Sequence, residues 1–197
     1  FGYVWNKLYR RQFLLERQLR FDDIRKGYME DTLFNLKVFS QCPSYYLEPV
    51  VVYEYDISGE STTRGMVKDI AQRNAHMLRQ YDAYLKAQNL QEENMDLFVP
   101  LAMRVICWSL VKNIPYEGAS FRVLKEKIAV FLREDSVRRM LANKSHCGQL
   151  RHLPSLPQRI FYSFLFRFLP VGEGSLAASV FLAGYPLMKW YIKRSVK

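Results

Sequence analysis

At 197 residues the chain is long enough for one full domain with a sizeable core, or for one domain and part of another. A hydrophobic content of 49% with 15% aromatics excludes a disordered tail. Three widely spaced cysteines, Cys42, Cys107 and Cys147, with no C-x-x-C, exclude a disulfide framework and fit a reducing, cytoplasmic compartment.

A short helix is predicted over 7–17, where a basic face alternates with Leu8, Phe13, Leu14 and Leu15. Asp22 and Asp23 read as a solvated turn. Leu33, Phe34, Leu36 and Phe39 then recur at helical spacing and predict a helix over 30–40, with its apolar residues on one side and Glu30 and Asp31 at its N-terminal end. Residues 45–55 are rich in β-branched and aromatic types and predict one or two strands, broken near Pro49. Residues 58–61, Ser-Gly-Glu-Ser, read as a turn. From there amphipathic helices are predicted over 62–90, 92–112, 120–133 and 135–143, with a break at 113–118. The fold class reached this way is α+β: a mixed region over 1–63 and a mainly helical extension over 64–197.

The longest apolar run, Leu176 to Met188, has 13 residues and contains Gly184 and Pro186. A bilayer needs about 20, so no transmembrane helix is predicted. Cys147 with His146 and His152 offers one thiol and two imidazoles without the paired spacing of a zinc site. These read as ordinary loop residues, and no metal site is assigned.

Charge is distributed unevenly. Residues 41–100 hold five Lys/Arg against nine acids, whereas residues 136–197 hold ten Lys/Arg against one acid, Glu173, a net of +9. Aromatic rings are interleaved with Arg159, Arg167, Lys189, Lys193 and Arg194 in that tail, and Trp190 lies among them. Rings at headgroup depth and cations worth about 1 kcal/mol each suit an anionic membrane surface. Stacking with phosphate contacts would also suit single-stranded nucleic acid, but no recurring nucleic-acid motif is present, so nucleic acid is not an expected partner. In a third reading the rings are the helical region's own core.

The chemistry-bearing stretch is the acidic pair Glu30–Asp31. Unpaired backbone N–H groups and the positive end of the helix dipole favour negative charge there, by about 0.3–1 kcal/mol at an exposed site. A carboxylate so held is in the form a general base needs. The ordinary role of Asp or Thr at a helix start is an N-cap, and that role also fixes the direction of the carboxylate.

The surroundings of the pair carry more. Val4-Trp5-Asn6-Lys7-Leu8-Tyr9 stands upstream, then Glu30-Asp31-Thr32-Leu33-Phe34-Asn35, then a segment ending in Tyr53-Glu54-Tyr55, then Ser61-Thr62-Thr63. This order over residues 3–64 resembles the second half of the catalytic domain of bacterial family 2 glycosyltransferases, the inverting GT-A enzymes of surface polysaccharide synthesis. The resemblance implies transfer of a sugar from a nucleotide-sugar to a saccharide or lipid-linked acceptor hydroxyl. It implies Asp31 as general base, Glu30 orienting acceptor hydroxyls, and Trp5, Asn6 and Lys7 contacting substrate. Relatives read Y-x-Y followed by Arg, whereas here Asp56 stands in the Arg place with no His nearby.

No D-x-D motif is found, so the nucleotide-binding half and its divalent Mg or Mn are expected in sequence before residue 1, and the chain alone is expected to bind no metal and to be inactive. The implied location is the inner face of the cell membrane, as a peripheral protein. The alternative is a non-catalytic membrane-docking or scaffold module of a polysaccharide assembly complex.

Overall fold

The computed structural model describes residues 3–23, 29–50, 53–54 and 65–195, with side chains as far as Pro186. Among the described residues the helices are α1 (Arg11–Glu16), α2 (Glu30–Phe39), α3 (Ile70–Ala87), α4 (Met95–Val111), α5 (Ile114–Glu117), α6 (Phe121–Leu132), α7 (Asp135–Ala142), α8 (Leu156–Phe168) and α9 (Ser175–Ser195). Short 3₁₀ stretches at Glu92–Asn94, Lys144–His152 and Val171–Gly174 join them. The chain divides into two compact units, one of residues 1–65 with 76–94 and one of residues 66–75 with 95–197.

The α+β expectation is overturned: the described residues are mostly helical and contain no strand. The difference lies at 45–50 and 53–54, the described part of the expected 45–55 strand; 51, 52 and 55, and the expected turn at 58–61, lie outside the described residues. Tyr45, Tyr46 and Leu47 are consecutively exposed rather than alternately buried, and no second strand exists among the described residues to accept a ladder. Strand propensity reports fit to a pleated, half-buried surface, and an unpartnered segment has none.

In the first unit α2 is the central element. Thr32, Leu33, Phe34, Asn35 and Leu36 are buried in succession, so this helix is covered nearly all round rather than on the one side its spacing predicts. Leu19, Phe34 and Val38 form the core, with Val4, Tyr9, Phe13, Leu14 and Tyr84 against it. Phe21 stacks on Phe34 with ring centroids 4.0 Å apart. The predicted 7–17 helix shortens to α1: residues 7–9 are not helical, Arg10 is extended, and Tyr9 bonds to Asn35 of α2. Asp22 is not a solvated turn residue: it pairs with Lys37 at 2.7 Å.

In the second unit α4 plays the corresponding part. Phe98, Val99, Ala102, Met103, Ile106 and Leu110 are buried along one broad face, while Asp96, Arg104 and Trp108 on the other side are exposed. The helical stretch Glu92–Glu117 is long and apolar enough to cross a membrane, a length the sequence reading does not credit; 61% of its most apolar window is buried inside the protein, as in a core helix. Helix α6 begins at Ser120, whose hydroxyl accepts from the Val123 N–H at 3.2 Å. Of the predicted 62–90 helix, 62–64 lie outside the described residues, 65–69 are not helical, and α3 starts at Ile70 after Asp69 takes a left-handed φ of 54°.

A buried amide ties the start of this unit to the end of α4. Asn113 donates through Nδ2 to the Val67 carbonyl at 2.8 Å and accepts through Oδ1 from the Val67 N–H at 3.1 Å. Both residues are buried. Asn113→Ala strands a buried backbone donor and acceptor, at about 1–3 kcal/mol for each group left unmade. With partial relaxation, the expected loss in urea unfolding is about 2 kcal/mol. An unchanged midpoint would mean that Val67 finds other partners.

Candidate active site

The first turn of α2 is set by its backbone. Met29 at the N-cap is left-handed, with φ 67° and ψ 41°, and supplies no side-chain cap. Asp31, two residues inside, takes over part of that work: Oδ1 accepts from the Thr32 N–H at 2.6 Å and lies 3.4 Å from the Thr32 hydroxyl. The carboxylate is thus aimed by its own helix. Glu30 sits beside it in the same turn, half-buried.

The upstream element is brought to this helix. The Tyr9 hydroxyl donates to Asn35 Oδ1 at 2.5 Å, and Asn35 Nδ2 donates to the Tyr3 carbonyl at 3.2 Å. Asn35 is fully buried, so it braces residues 3–9 against α2 across a gap of more than twenty residues. Lys7 Nζ donates to Asn6 Oδ1 at 2.8 Å and to the Tyr3 carbonyl. Partial burial lowers the Lys7 pKa, and the Asp31 charge opposes that shift. Tyr9 is pushed up to about 12, first by burial and second by the Asp31 charge. Lys7, Tyr9 and Asp31 therefore share one electrostatic neighbourhood.

Trp5 is 40% exposed, its ring 4.2 Å from Tyr3 and 5.8 Å from Tyr53 between centroids. Two tilted aromatic neighbours leave a partly open indole face of the kind that stacks on a sugar ring. Tyr55, Asp56 and Ser61 lie outside the described residues. Among those described, no cluster of three or more His, Cys, Asp or Glu could hold a metal ion. Cys147 instead approaches the Ser163 carbonyl at 3.9 Å, and a His146 ring nitrogen lies 3.1 Å from the Met140 carbonyl.

Tyr9 and Asn35 are the residues that sequence reasoning left without a role, although both stand inside the quoted elements. Only the fold shows that they meet. The Tyr9→Phe variant is expected to lose about 1 kcal/mol at pH 8, the worth of one hydrogen bond. The sign of the pH dependence follows from the raised pKa. The folded state holds the Tyr9 proton more tightly than the unfolded chain, so this stabilisation is complete below about pH 10 and is lost as pH rises through about 12. Urea unfolding of both proteins should therefore show a gap that narrows above pH 10. A gap absent at pH 8 would remove the Tyr9–Asn35 bond as a brace.

In the tail, the residues assigned to a membrane surface are not equivalent. Arg159 is half-buried and its Nε donates to the Leu153 carbonyl at 2.5 Å, so it holds the turn before α8. Arg167 is exposed. Lys189, Trp190, Lys193 and Arg194 belong to α9, beyond the described side chains. Phe166 and Phe181 are buried, and Phe161 packs edge-on to Phe181 with centroids 6.0 Å apart. Several of the tail's rings are therefore core.

Comparison of the chain with protein-family models, with curated proteins and with solved structures gives no match.

Proposed function

We propose that the first unit carries the acceptor-side half of an inverting glycosyltransferase site, with Asp31 as general base. The observation that supports this best is the tie of residues 3–9, which include Trp5 and Lys7, to α2 through the Tyr9–Asn35 and Asn35–Tyr3 hydrogen bonds, on the helix whose first turn carries Asp31 and with the Asp31 charge acting on Lys7 and Tyr9. In the proposed reaction Asp31 removes the proton of an acceptor hydroxyl as that oxygen bonds to the anomeric carbon. The nucleoside diphosphate leaves from the opposite face, which inverts the centre. An alcohol is too weak an acid to react unaided at neutral pH, and a fixed carboxylate supplies the missing base.

The Trp5 face would carry the acceptor ring, and Lys7 would meet acidic or diphosphate charge. Glu30 would orient acceptor hydroxyls, and Asn6 would fix the Lys7 head that donates to it. The donor half and its divalent metal are assigned to none of the residues described. The deciding experiment is turnover of Asp31→Asn in a polypeptide that also contains the donor half.

The alternative, a non-catalytic membrane-docking module, is favoured by the apolar surface of α8. A complete polypeptide without transferase activity on any nucleotide-sugar would leave that reading in place, whereas an Asp31→Asn protein with full activity would remove only Asp31 as the base.

A further inference from the structure

Helix α8 faces two ways. Leu165 and Phe166 are buried, while Leu156, Ile160 and Phe164, four residues apart, are 63%, 63% and 43% exposed. That spacing places the three side chains in one row. Arg167 lies one turn beyond Phe164 on the same face and is exposed. Beside the row runs an apolar groove of about 480 Å³, closed on its far side by Val180 and Gly184 of α9. The chain turns by 119° between α8 and the following helix, at a break whose Val171 is also exposed.

Three large apolar side chains in one row are a surface that water does not favour. Charge decides what covers it. No acid occurs on α8 or α9, and residues 136–197 carry a net +9. A surface that is apolar along one ridge and cationic around it matches an anionic lipid interface. There the ridge enters the boundary between headgroups and acyl chains, and the Arg and Lys stems reach back to phosphate.

We propose that α8 lies in the plane of an anionic membrane with Leu156, Ile160 and Phe164 inserted below the headgroups, so that the second unit binds as a shallow wedge without crossing. This differs from purely electrostatic docking by the basic tail, because the apolar ridge supplies a share of binding that salt does not screen. It is independent of the role of Asp31, which none of the variants below touches.

The experiment is sedimentation of the 197-residue chain with vesicles of phosphatidylcholine alone and with one third phosphatidylglycerol, in 0.1 M and 1 M salt. Binding is expected to need the anionic lipid, to weaken at high salt, and to persist there in part. Ile160→Asp with Phe164→Asp should lower partitioning by about 100-fold, as two large apolar side chains leave the lipid. Replacing Lys189, Lys193 and Arg194 by Gln should weaken it by up to about 100-fold and should steepen nothing with salt. Should the double Asp variant lose its far-UV helical signal, Ile160→Gln with Phe164→Gln decides instead, with a loss of at least about tenfold expected. Wild-type protein that ignores both vesicles, or ridge variants that bind as wild type does, would overturn the wedge. A wild-type dimer in equilibrium sedimentation that the ridge variants convert to monomer, with no vesicle binding, would assign the ridge to self-association and overturn it equally.

Discussion

Replacing Asp31 by Asn is expected to lower turnover by about 10²–10⁴-fold, the range a positioned general base supplies. The substitution is close to isosteric, and an Asn Oδ1 can still accept from the Thr32 N–H that Asp31 engages at 2.6 Å. The first turn of α2 therefore keeps its hydrogen bond, and the melting temperature should move little. What changes is charge: the variant has no proton acceptor, and Lys7 loses the negative neighbour that offsets its burial. The measurement is initial rate with saturating nucleotide-sugar and acceptor, beside thermal unfolding of the same samples. An active, stable Asp31→Asn protein removes Asp31 from the mechanism. Lost activity with a collapsed melt makes the carboxylate a structural cap, since the rate then reports unfolding. The informative outcome is a folded and slow enzyme.

Helices α4, α6 and α7 are legible in sequence because their apolar residues keep helical spacing, whereas the short α5 falls in the expected break at 113–118 and α8 and α9 are covered only by the expectation of a mainly helical extension. Ser120 caps α6 as its type and place predict, and α7 ends within a residue of the expected position. The expected strand fails over the described part of 45–55 for a reason that no window of sequence contains. Tyr45, Tyr46 and Leu47 have the right composition, but a strand is a relation between segments and the described residues offer no partner. Burial around α2 is hidden in the same way: Thr32 and Asn35 look like the polar side of a helix, yet both are buried, Asn35 bonded to Tyr9 and to the Tyr3 carbonyl.

The candidate site divides along that line. Trp5, Asn6, Lys7, Glu30 and Asp31 are legible as residue types in a recognisable order. That Lys7 and Tyr9 share a field with Asp31 is a long-range fact, carried by the Tyr9–Asn35 and Asn35–Tyr3 bonds. In the tail, sequence shows a basic and aromatic mixture but not which rings face inward. Phe166 and Phe181 go to the core while Phe164 stays out, because α8 turns its 165–166 side toward the unit.

Gly174→Ala is expected to destabilise the chain by about 2–5 kcal/mol, through two causes that add. The residue sits at φ +85°, a left-handed backbone that costs a side-chain-bearing residue about 1–2 kcal/mol. Its α-carbon also faces α6: an added methyl would collide with Ile128 Cγ2 and stand 3.2 Å from Ile128 Cβ and 3.5 Å from Leu132 Cδ1. Ile128 is fully buried, so it has little room to give, and such overpacking typically costs about 1–3 kcal/mol. Gly172→Ala separates the causes. It shares the left-handed backbone at φ +58°, but its nearest neighbour would be Ser175 Cβ at an ordinary 3.7 Å, so only the backbone cost of about 1–2 kcal/mol applies. Urea unfolding of the two variants should rank Gly174→Ala well below Gly172→Ala. Equal losses would mean that α6 yields to the methyl and that backbone conformation alone holds the turn between α8 and α9. That turn fixes the angle at which the ridge of α8 is presented, so the same variant should also bind anionic vesicles less well at temperatures where it remains folded.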